Sequence, residues 1–159
     1  MDKTGSTALI TGASSGIGAA YAERLARRGY DLVLVARNHR RRDRLATHIR
    51  AQSSVEVEVI PADLTTVYGL SEIEARLRND ERIDLLGNNA GAIGLDALEN
   101  PDLDEVDRII RLNVTAVARL PGAVIPRFSA GSNKAIINVA SAVALIPEVR
   151  LGIYGATKA

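Results

Sequence analysis

The sequence has no cysteine, no tryptophan and a single phenylalanine among its 159 residues. Without cysteine the chain can form neither disulfides nor thiolate metal sites. Aromatic residues make up 3% of the chain, too few for a surface that stacks nucleic-acid bases. The net charge of +1 gives no reason to expect nucleic acid or an anionic membrane surface as a partner. We therefore expect neither a nucleic-acid nor a membrane partner.

Targeting segments and long apolar runs are also lacking. Residues 1–6 have no apolar core of the signal-peptide kind, and no apolar run approaches the about 18 residues of a membrane span. The two histidines, His39 and His48, have no cysteine or matching carboxylate near them, so we expect no metal site. The remaining composition, 47% hydrophobic and 25% charged, is ordinary for one globular domain. We expect a single domain over residues 1–159, located in the cytoplasm.

Short β-branched runs alternate with longer amphipathic segments along the whole chain. The pattern predicts strands at Thr7–Thr11, Asp31–Ala36, Val55–Ile60, Ile83–Asn88 and Ala135–Val139. It predicts helices at Gly16–Arg28, Arg40–Ala51, Thr65–Asn79 and Pro101–Leu112, and at Val114–Phe128 either a further helix or a continuation. Alternating strands and helices imply right-handed crossovers and a doubly wound parallel sheet of the α/β class.

The first turn between strand and helix is rich in glycine, with the sequence Thr-Gly-Ala-Ser-Ser-Gly-Ile-Gly at residues 11–18. The first N–H groups of a helix have no partner within the helix, so such a turn can bind an anion. Gly12 lets the chain turn, Gly16 lets a phosphate approach the backbone, and Gly18 lets the helix pack closely. A plain turn of small residues remains the alternative. The residues of this candidate phosphate site are Gly12, Ser14, Ser15, Gly16, Ile17 and Gly18.

Arginine, not an acid, follows the second predicted strand. Folds that bind NAD usually place Asp or Glu about 20 residues after the glycine turn, to bind the ribose hydroxyls. This chain has Arg37 there, with four more arginines at positions 40, 41, 42 and 44. Cations at a helix start oppose the helix dipole, and a bound phosphate would offset that penalty. We favour a pocket for the 2′-phosphate of NADP(H) over the alternative, a solvated basic face.

Polar residues follow the next two strands at the same expected edge of the sheet. Asp63 and Leu64 follow the third strand, and Asn88, Asn89, Ala90 and Gly91 follow the fourth. Ligands of open α/β sheets bind at the carboxyl ends of the strands. Each residue alone is typical of a loop, but together they predict one rim of a binding site.

Tyr154 and Lys158 follow Ser141, which comes after the fifth strand. If Tyr154 begins a helix, Lys158 lies one turn away on the same face. A free phenol ionises only at high pH and is a poor proton donor or acceptor at pH 7. A neighbouring ammonium stabilises the phenolate, which favours proton transfer. An exposed Tyr–Lys pair on a helix surface is the alternative.

Together these residues resemble the short-chain dehydrogenase/reductase family. Residues 11–18 match its TGxxxGxG turn, and residues 88–91 match its NNAG segment. Asn113, Ser141, Tyr154 and Lys158 fall where its catalytic tetrad falls, in order and at fitting intervals. The resemblance covers essentially the whole chain. It implies a Rossmann-like sheet of strand order 3-2-1-4-5 that binds NAD(P), with NADP(H) favoured, and a homo-oligomer is possible.

The family's chemistry is hydride transfer between a nicotinamide and a small carbonyl or alcohol substrate. By resemblance, Tyr154 exchanges the proton on the substrate oxygen, and Lys158 assists it and holds the nicotinamide ribose. Ser141 stabilises the charge that develops on that oxygen. Asn113 positions a water in the proton relay, and Asp63 contacts the adenine. The cofactor-binding residues implied in all are Gly12, Ser14, Ser15, Gly16, Ile17, Gly18, Arg37, Asp63, Leu64, Asn89, Ala90, Gly91, Tyr154 and Lys158.

Three features depart from the family pattern. Family members normally continue past the catalytic Lys, so the resemblance implies that the sequence ends within the active-site helix, leaving the fifth strand as an uncovered apolar edge. Gly87 is expected to leave a packing gap in the fourth strand. Pro121 is expected to kink or break its helix. These departures leave open two alternatives to an enzyme, an inactive dinucleotide-binding module and a degenerate fragment. Segments 92–98 and 142–153 hint at an apolar substrate.

Overall fold

The computed structural model describes residues 5–94, 101–146 and 152–159. Its five strands are β1 Thr7–Thr11, β2 Asp31–Val35, β3 Val57–Ile60, β4 Ile83–Asn88 and β5 Ala135–Asn138. The helices are α1 Gly16–Ala26, α2 His39–Gln52, α3 Val67–Asn79, α4 Leu103–Ile110, α5 Val117–Phe128 and α6 Gly152–Lys158. A π-helical segment, Arg111–Ala116, joins α4 to α5, and a 3₁₀ turn, Ala142–Leu145, follows β5. The predicted strands and helices are therefore present, with ends that differ by a few residues.

All strands run parallel in one sheet of order β3-β2-β1-β4-β5, as expected. The order reverses next to β1, because β2 lies on one side of it and β4 on the other. Such a switch point opens a crevice at the carboxyl ends of the strands, where ligands of this fold class bind. The sheet thus fixes the place of the site before any side chain is considered.

Buried side chains form two clusters, one on each face of the sheet. Leu9 of β1 packs in the cluster that includes Ile73 of α3 and Val124 of α5. Its neighbour Ile10 packs in the other cluster, with Leu25 of α1. Successive strand residues point to opposite faces, so a strand covered on both faces is buried along its whole length, as all five residues of β1 are. The doubly wound prediction is confirmed.

Pro121 was expected to kink or break its helix, and the structure shows no break. The helix runs without interruption from Leu103 through the π-helical segment to Phe128, and Pro121 lies inside α5. Proline deprives the carbonyl four residues earlier of its usual hydrogen bond, and here that carbonyl belongs to Val117. The Asn88 side chain donates to the Val117 oxygen at 3.0 Å. A buried amide at the end of β4 therefore replaces the missing helical bond, which the sequence alone does not reveal.

Gly87 of β4 faces the Ile10 side chain of the neighbouring strand β1. A Cβ built on Gly87 would lie 3.4 Å from Ile10 Cγ1 and 3.5 Å from Ile10 Cγ2. These are ordinary van der Waals distances, so a methyl group would fit here against the fully buried Ile10. The expected packing gap stays a prediction.

The helix Leu103–Phe128 is, within the described residues, the one segment long and apolar enough to cross a membrane by length and composition. It has 26 residues, and an 18-residue stretch within it has a mean hydropathy of 1.2. Leu112, Leu120 and Val124 on its inner side are buried in the core, and the core helix of a soluble protein passes the same test. The helix is therefore weak evidence for a membrane. The expected cytoplasmic location, single domain and homo-oligomer stay predictions.

The glycine turn after β1 lies against the segment that follows β4. Gly12 has a φ of +64°, and a Cβ there would lie 2.8 Å from the Ala90 Cα. A Cβ on Gly18 would lie 2.5 Å from the Asn89 amide nitrogen and 2.6 Å from the Gly12 carbonyl oxygen. Atoms so close would overlap, so both contacts require glycine. Gly18 packs its helix against this loop more than against the sheet itself.

We expect Gly18→Ala to destabilise the protein by about 1–3 kcal/mol, because the new methyl group overlaps backbone and must displace it. Gly122→Ala is the matched control. Gly122 is an exposed glycine within α5, and a Cβ there meets no atom within 4 Å. That variant should gain up to about 1 kcal/mol from helix propensity. Urea unfolding of the natural protein measures both, and a Gly18→Ala variant as stable as wild type would contradict the close-packing argument.

Candidate functional site

A groove of about 940 Å³ crosses the carboxyl edge of the sheet. It is lined by the glycine turn, by the ends of β2 and β3, by the loop after β4, and by residues after β5 and in α6. Every strand of the sheet therefore leads into it.

Most of the site residues predicted from the sequence line this groove. They are Gly12, Ser14, Ser15, Gly16, Ile17, Arg37, Asp63, Leu64, Asn89, Ala90, Gly91, Ser141, Tyr154 and Lys158. Three predicted residues, Gly18, Asn88 and Asn113, do not line it. Asn88 is buried at the end of β4. Gly18 lies behind the turn, against Asn89, and Asn113 is buried with 3% of its surface exposed. Both act on the groove only through neighbouring residues.

The N-terminus of α1 is built differently from those of α2, α3 and α4. The side chains of Asn38, Thr66 and Asp102 each accept a backbone N–H bond at the start of α2, α3 and α4. Ser15, in the same place before α1, makes no such bond. The first N–H groups of α1 are thus left for another acceptor. A Cβ on Gly16, whose φ is +55°, would meet no atom within 4 Å, so the groove is open at this point.

Thr11 and Asn89 hold the glycine turn in this position. The Thr11 hydroxyl accepts the backbone N–H groups of Asn89 and Ala90, each at 3.0 Å. It donates to the Gly87 carbonyl at 3.3 Å. The Asn89 side chain donates in return to the Thr11 and Gly12 carbonyls at 3.0 and 3.1 Å. These bonds fix the turn relative to β4 and keep its polar groups paired.

Arg37 and Asp63 face each other where β2 and β3 end. The Arg37 Nη1 atom lies 3.7 Å from the Asp63 Oδ2 atom, and the two side chains are 55% and 38% exposed. Burial raises the pKa of the Asp63 carboxyl. Hydrogen bonds from the Thr65 N–H and hydroxyl, together with the Arg37 charge, lower it by more, so the net pKa is below the ordinary value. Asp63 is therefore an anion at neutral pH, next to a partly exposed cation.

The remaining four arginines of the basic segment do not line the described groove. Arg40, Arg41 and Arg44 are exposed on α2, as the solvated-face alternative expected of them. Arg42 is buried, contrary to both interpretations, and its guanidinium donates to the Ala36 carbonyl at 3.3 Å and to Asp43 at 3.0 Å. It braces α2 on the end of β2. Only Arg37 of the five is placed to meet a ligand in the groove.

Ser141, Tyr154 and Lys158 come together at the opposite end of the groove. Ser141 begins the 3₁₀ turn after β5, where its hydroxyl accepts the Val143 N–H at 3.3 Å. Tyr154 and Lys158 lie one turn apart on α6, and both are half-buried. The Lys158 ammonium donates to the Val139 carbonyl at 3.1 Å. The exposed Tyr–Lys pair considered as an alternative is therefore not what the structure has.

Asn113 lies in the π-helical segment, and its side chain reaches two other parts of the protein. Its Oδ1 accepts the Ala92 N–H, and its Nδ2 donates to the Ala92 carbonyl, both at 2.9 Å. Nδ2 also donates to the Thr157 hydroxyl at 2.9 Å. The side chain predicted to position a water thus has both of its N–H groups in use within the protein.

Several lining residues were missed from the sequence. They are Val35, Ala36, Asn38, Ala62, Leu112, Val139 and Ala140, besides Ala92 and Ile93, which were expected only as part of an apolar segment. Most stand at or just after the end of a parallel strand, so the rule that placed Asp63 and Asn89 could have found them. Leu112 carries no such signal, because it lies in the π-helical segment and not at the end of a strand. Residues 95–100 and 147–151 lie outside the described part of the chain.

The fold and the groove define a doubly wound α/β protein with a dinucleotide-type site at its switch point. A model of the short-chain dehydrogenase family matches residues 6–159. The chain belongs to that family, which confirms the resemblance drawn from the sequence.

The chain is similar to reductases and dehydrogenases. It is 38% identical to very-long-chain 3-oxoacyl-CoA reductase-B of Danio rerio, over 98% of this chain and 51% of that protein. Among solved structures it resembles a bulky-bulky ketone specific alcohol dehydrogenase from Comamonas testosteroni, with a TM-score of 0.93, 50% identity, and coverage of 96% of this chain and 61% of that one. A short-chain dehydrogenase from Sphingobium yanoikuyae in complex with NADPH gives a TM-score of 0.93 and 52% identity, with coverage of 96% and 60%. The chain spans about half the length of the curated relatives it matches.

We expect Thr11→Val to destabilise the protein by about 1–3 kcal/mol, because it leaves two N–H groups of the buried loop contact without an acceptor. Valine has nearly the same shape as threonine, so the change isolates the hydroxyl. Thr11→Ser keeps the hydroxyl and should lose much less. Chemical unfolding measures both variants, and equal stability of Thr11→Val and wild type would show that the Thr11 bonds do not hold the turn.

Proposed function

We propose that the protein is an NADP(H)-dependent oxidoreductase that reduces a carbonyl substrate. The observation that carries the proposal is the layout of the groove. An uncapped helix start lies between a cation at one end, Arg37, and the Ser141–Tyr154–Lys158 group at the other. Relatives named as ketone and 3-oxoacyl-CoA enzymes support the carbonyl chemistry.

The residues present fit a nicotinamide dinucleotide. The open space at Gly16 admits a pyrophosphate to the free N–H groups of α1, and Ile17 lines the same wall. Asp63 and Leu64 line the end of the groove where the adenine would lie, with Ala90 and Gly91 farther along. When bound, the cofactor supplies the hydride.

The chain's own residues would handle the proton and the charge. The Ser141 hydroxyl can donate to the substrate oxygen as negative charge develops there. The Tyr154 phenol can give that oxygen its proton. The Lys158 ammonium, held by the Val139 carbonyl, lies one helical turn from Tyr154 and can stabilise the negative charge that develops on the phenol oxygen during proton transfer. Asn113 has no place at the groove surface, and its contribution is through Ala92 and Thr157.

Arg37 supports NADP(H) over NAD(H). An acid at this place would bind the 2′-hydroxyl of NAD and repel a 2′-phosphate, whereas a guanidinium binds phosphate through paired hydrogen bonds. The Arg37 Nη1 atom lies 3.7 Å from the Asp63 Oδ2 atom, so their ion pair is a loose one, and more than half of the arginine side chain is exposed. The guanidinium is therefore available to a phosphate. A relative solved with NADPH is consistent with this preference.

The substrate end of the described groove is apolar. Ala92 and Ile93 line it, and Ile93 is 59% exposed. Such a surface favours an apolar ketone or acyl substrate, in keeping with the names of the relatives. The other segments expected here, 95–98 and 147–151, lie outside the described residues.

Arg37→Ala should weaken NADPH binding about 10–100-fold and NADH binding by less than about threefold, because the charge-assisted bonds to the 2′-phosphate contribute about 1.5–3 kcal/mol. Arg40→Ala is the matched control, an exposed arginine three residues on that does not line the groove. It should change neither affinity. Fluorescence titration of the natural full-length protein measures both cofactors, and equal losses for NADPH and NADH would refute the phosphate assignment.

Tyr154→Phe should lower carbonyl reduction by at least about 10²–10⁴-fold, because it removes the proton donor and almost nothing else. NADPH affinity should stay within a few-fold of wild type. Steady-state rates with a set of bulky ketones, together with cofactor titration, test this. A Tyr154→Phe variant that keeps wild-type turnover would exclude the mechanism. A wild-type protein that binds NADPH and reduces no carbonyl would instead be the inactive binding module.

A further inference from the structure

Helix α6 carries two of the groups proposed for the reaction. Among the described residues, its side chains form two hydrogen bonds with other elements, one at Thr157 and one at Lys158. These bonds relate the position of the two groups to the rest of the groove.

The Thr157 hydroxyl joins a chain of three hydrogen-bonding groups. It accepts from Asn113 Nδ2 at 2.9 Å and donates to the Tyr154 carbonyl at 2.9 Å. Asn113 is itself fixed by both backbone groups of Ala92, a residue of the groove wall. Each N–H or O–H group in this series of hydrogen bonds has one acceptor, so the orientation of the Thr157 hydroxyl is fully determined.

We propose that Thr157 is a positioning residue for the reaction, whose hydroxyl ties the Tyr154–Lys158 turn of α6 to Asn113 and the groove wall. The proposal rests on the proposed function. The role of Thr157 is geometric, because it fixes how α6 is aligned with the wall of the groove. Ala92 lines the groove on one side and Tyr154 on the other, and the shared hydroxyl sets the distance between them. Reacting groups misplaced by about 1 Å can lose about 10² in rate.

The contacts of Gly91 support the same arrangement. A Cβ built on Gly91 would lie 3.4 Å from Asn113 Oδ1 and 3.6 Å from the Lys158 ammonium nitrogen. A side chain no larger than a methyl group would therefore fit between the loop after β4, the π-helical segment and α6. A shift of α6 would change the place of the Lys158 ammonium as well as that of the Tyr154 phenol.

The test compares Thr157→Val with Thr157→Ser in the natural full-length protein. Valine keeps the shape and loses the hydroxyl, whereas serine keeps the hydroxyl. We expect kcat for carbonyl reduction to fall about 10–100-fold in Thr157→Val, with KM and the NADPH dissociation constant within about threefold. Thr157→Ser should restore kcat to within about threefold of wild type. Thr47→Val, an exposed threonine on α2, is the control for the substitution itself.

Two further readouts separate the possible failures. The stoichiometry of NADPH binding should stay at one per chain in Thr157→Val, which excludes loss of folded protein as the cause of a lower kcat. Hydrogen exchange of the peptide over residues 152–159 should be faster in Thr157→Val than in Thr157→Ser. Wild-type kcat and exchange in Thr157→Val would overturn the positioning role. Absence of turnover in wild type would overturn the proposed function instead, and exchange would still decide whether Thr157 holds α6.

Discussion

The whole site depends on one close approach, between the glycine turn after β1 and the loop after β4. Gly12 and Gly18 have no side chain to keep the two segments apart, and the Thr11 hydroxyl and Asn89 amide pair their backbone groups. Buried polar groups without partners would make this contact unfavourable. With partners it is a rigid junction at the switch point of the sheet. The start of α1 and one wall of the groove are both set by it.

A second interaction, next to this junction, completes the backbone hydrogen bonding of the helix Leu103–Phe128. The Asn88 amide, one residue before Asn89, donates to the Val117 carbonyl that Pro121 leaves without its helical partner. It donates also to Asn138 of β5 at 3.2 Å. One polar residue at the end of β4 thus links the edge strand to a proline-containing helix. This explains why a proline that propensity would exclude from a helix is accommodated.

The strands and most of the groove could be predicted from the sequence, because they depend on local patterns, whereas the strand order came from the family resemblance. Apolar runs mark strands buried on both faces, and the parallel arrangement then brings their carboxyl ends to one edge. The continuity of the helix at Pro121 could not be predicted in this way. It depends on Asn88, a residue distant in sequence that supplies the hydrogen-bond donor. The burial of Arg42 was missed for a similar reason, because its guanidinium donates to the Ala36 carbonyl.

The two ends of the groove are stabilised by different physical interactions. The end near Arg37 is built on β1, β2 and α1, whose side chains fill the core, so its geometry follows from hydrophobic burial. At the end near Tyr154, side-chain hydrogen bonds of Thr157 and Lys158 tie α6 to Asn113 and to the end of β5. Burial is insensitive to small changes in angle, whereas hydrogen bonds weaken steeply when bent. Cofactor binding should therefore tolerate perturbations that turnover does not, because hydride and proton transfer demand alignment that binding a dinucleotide along an open groove does not.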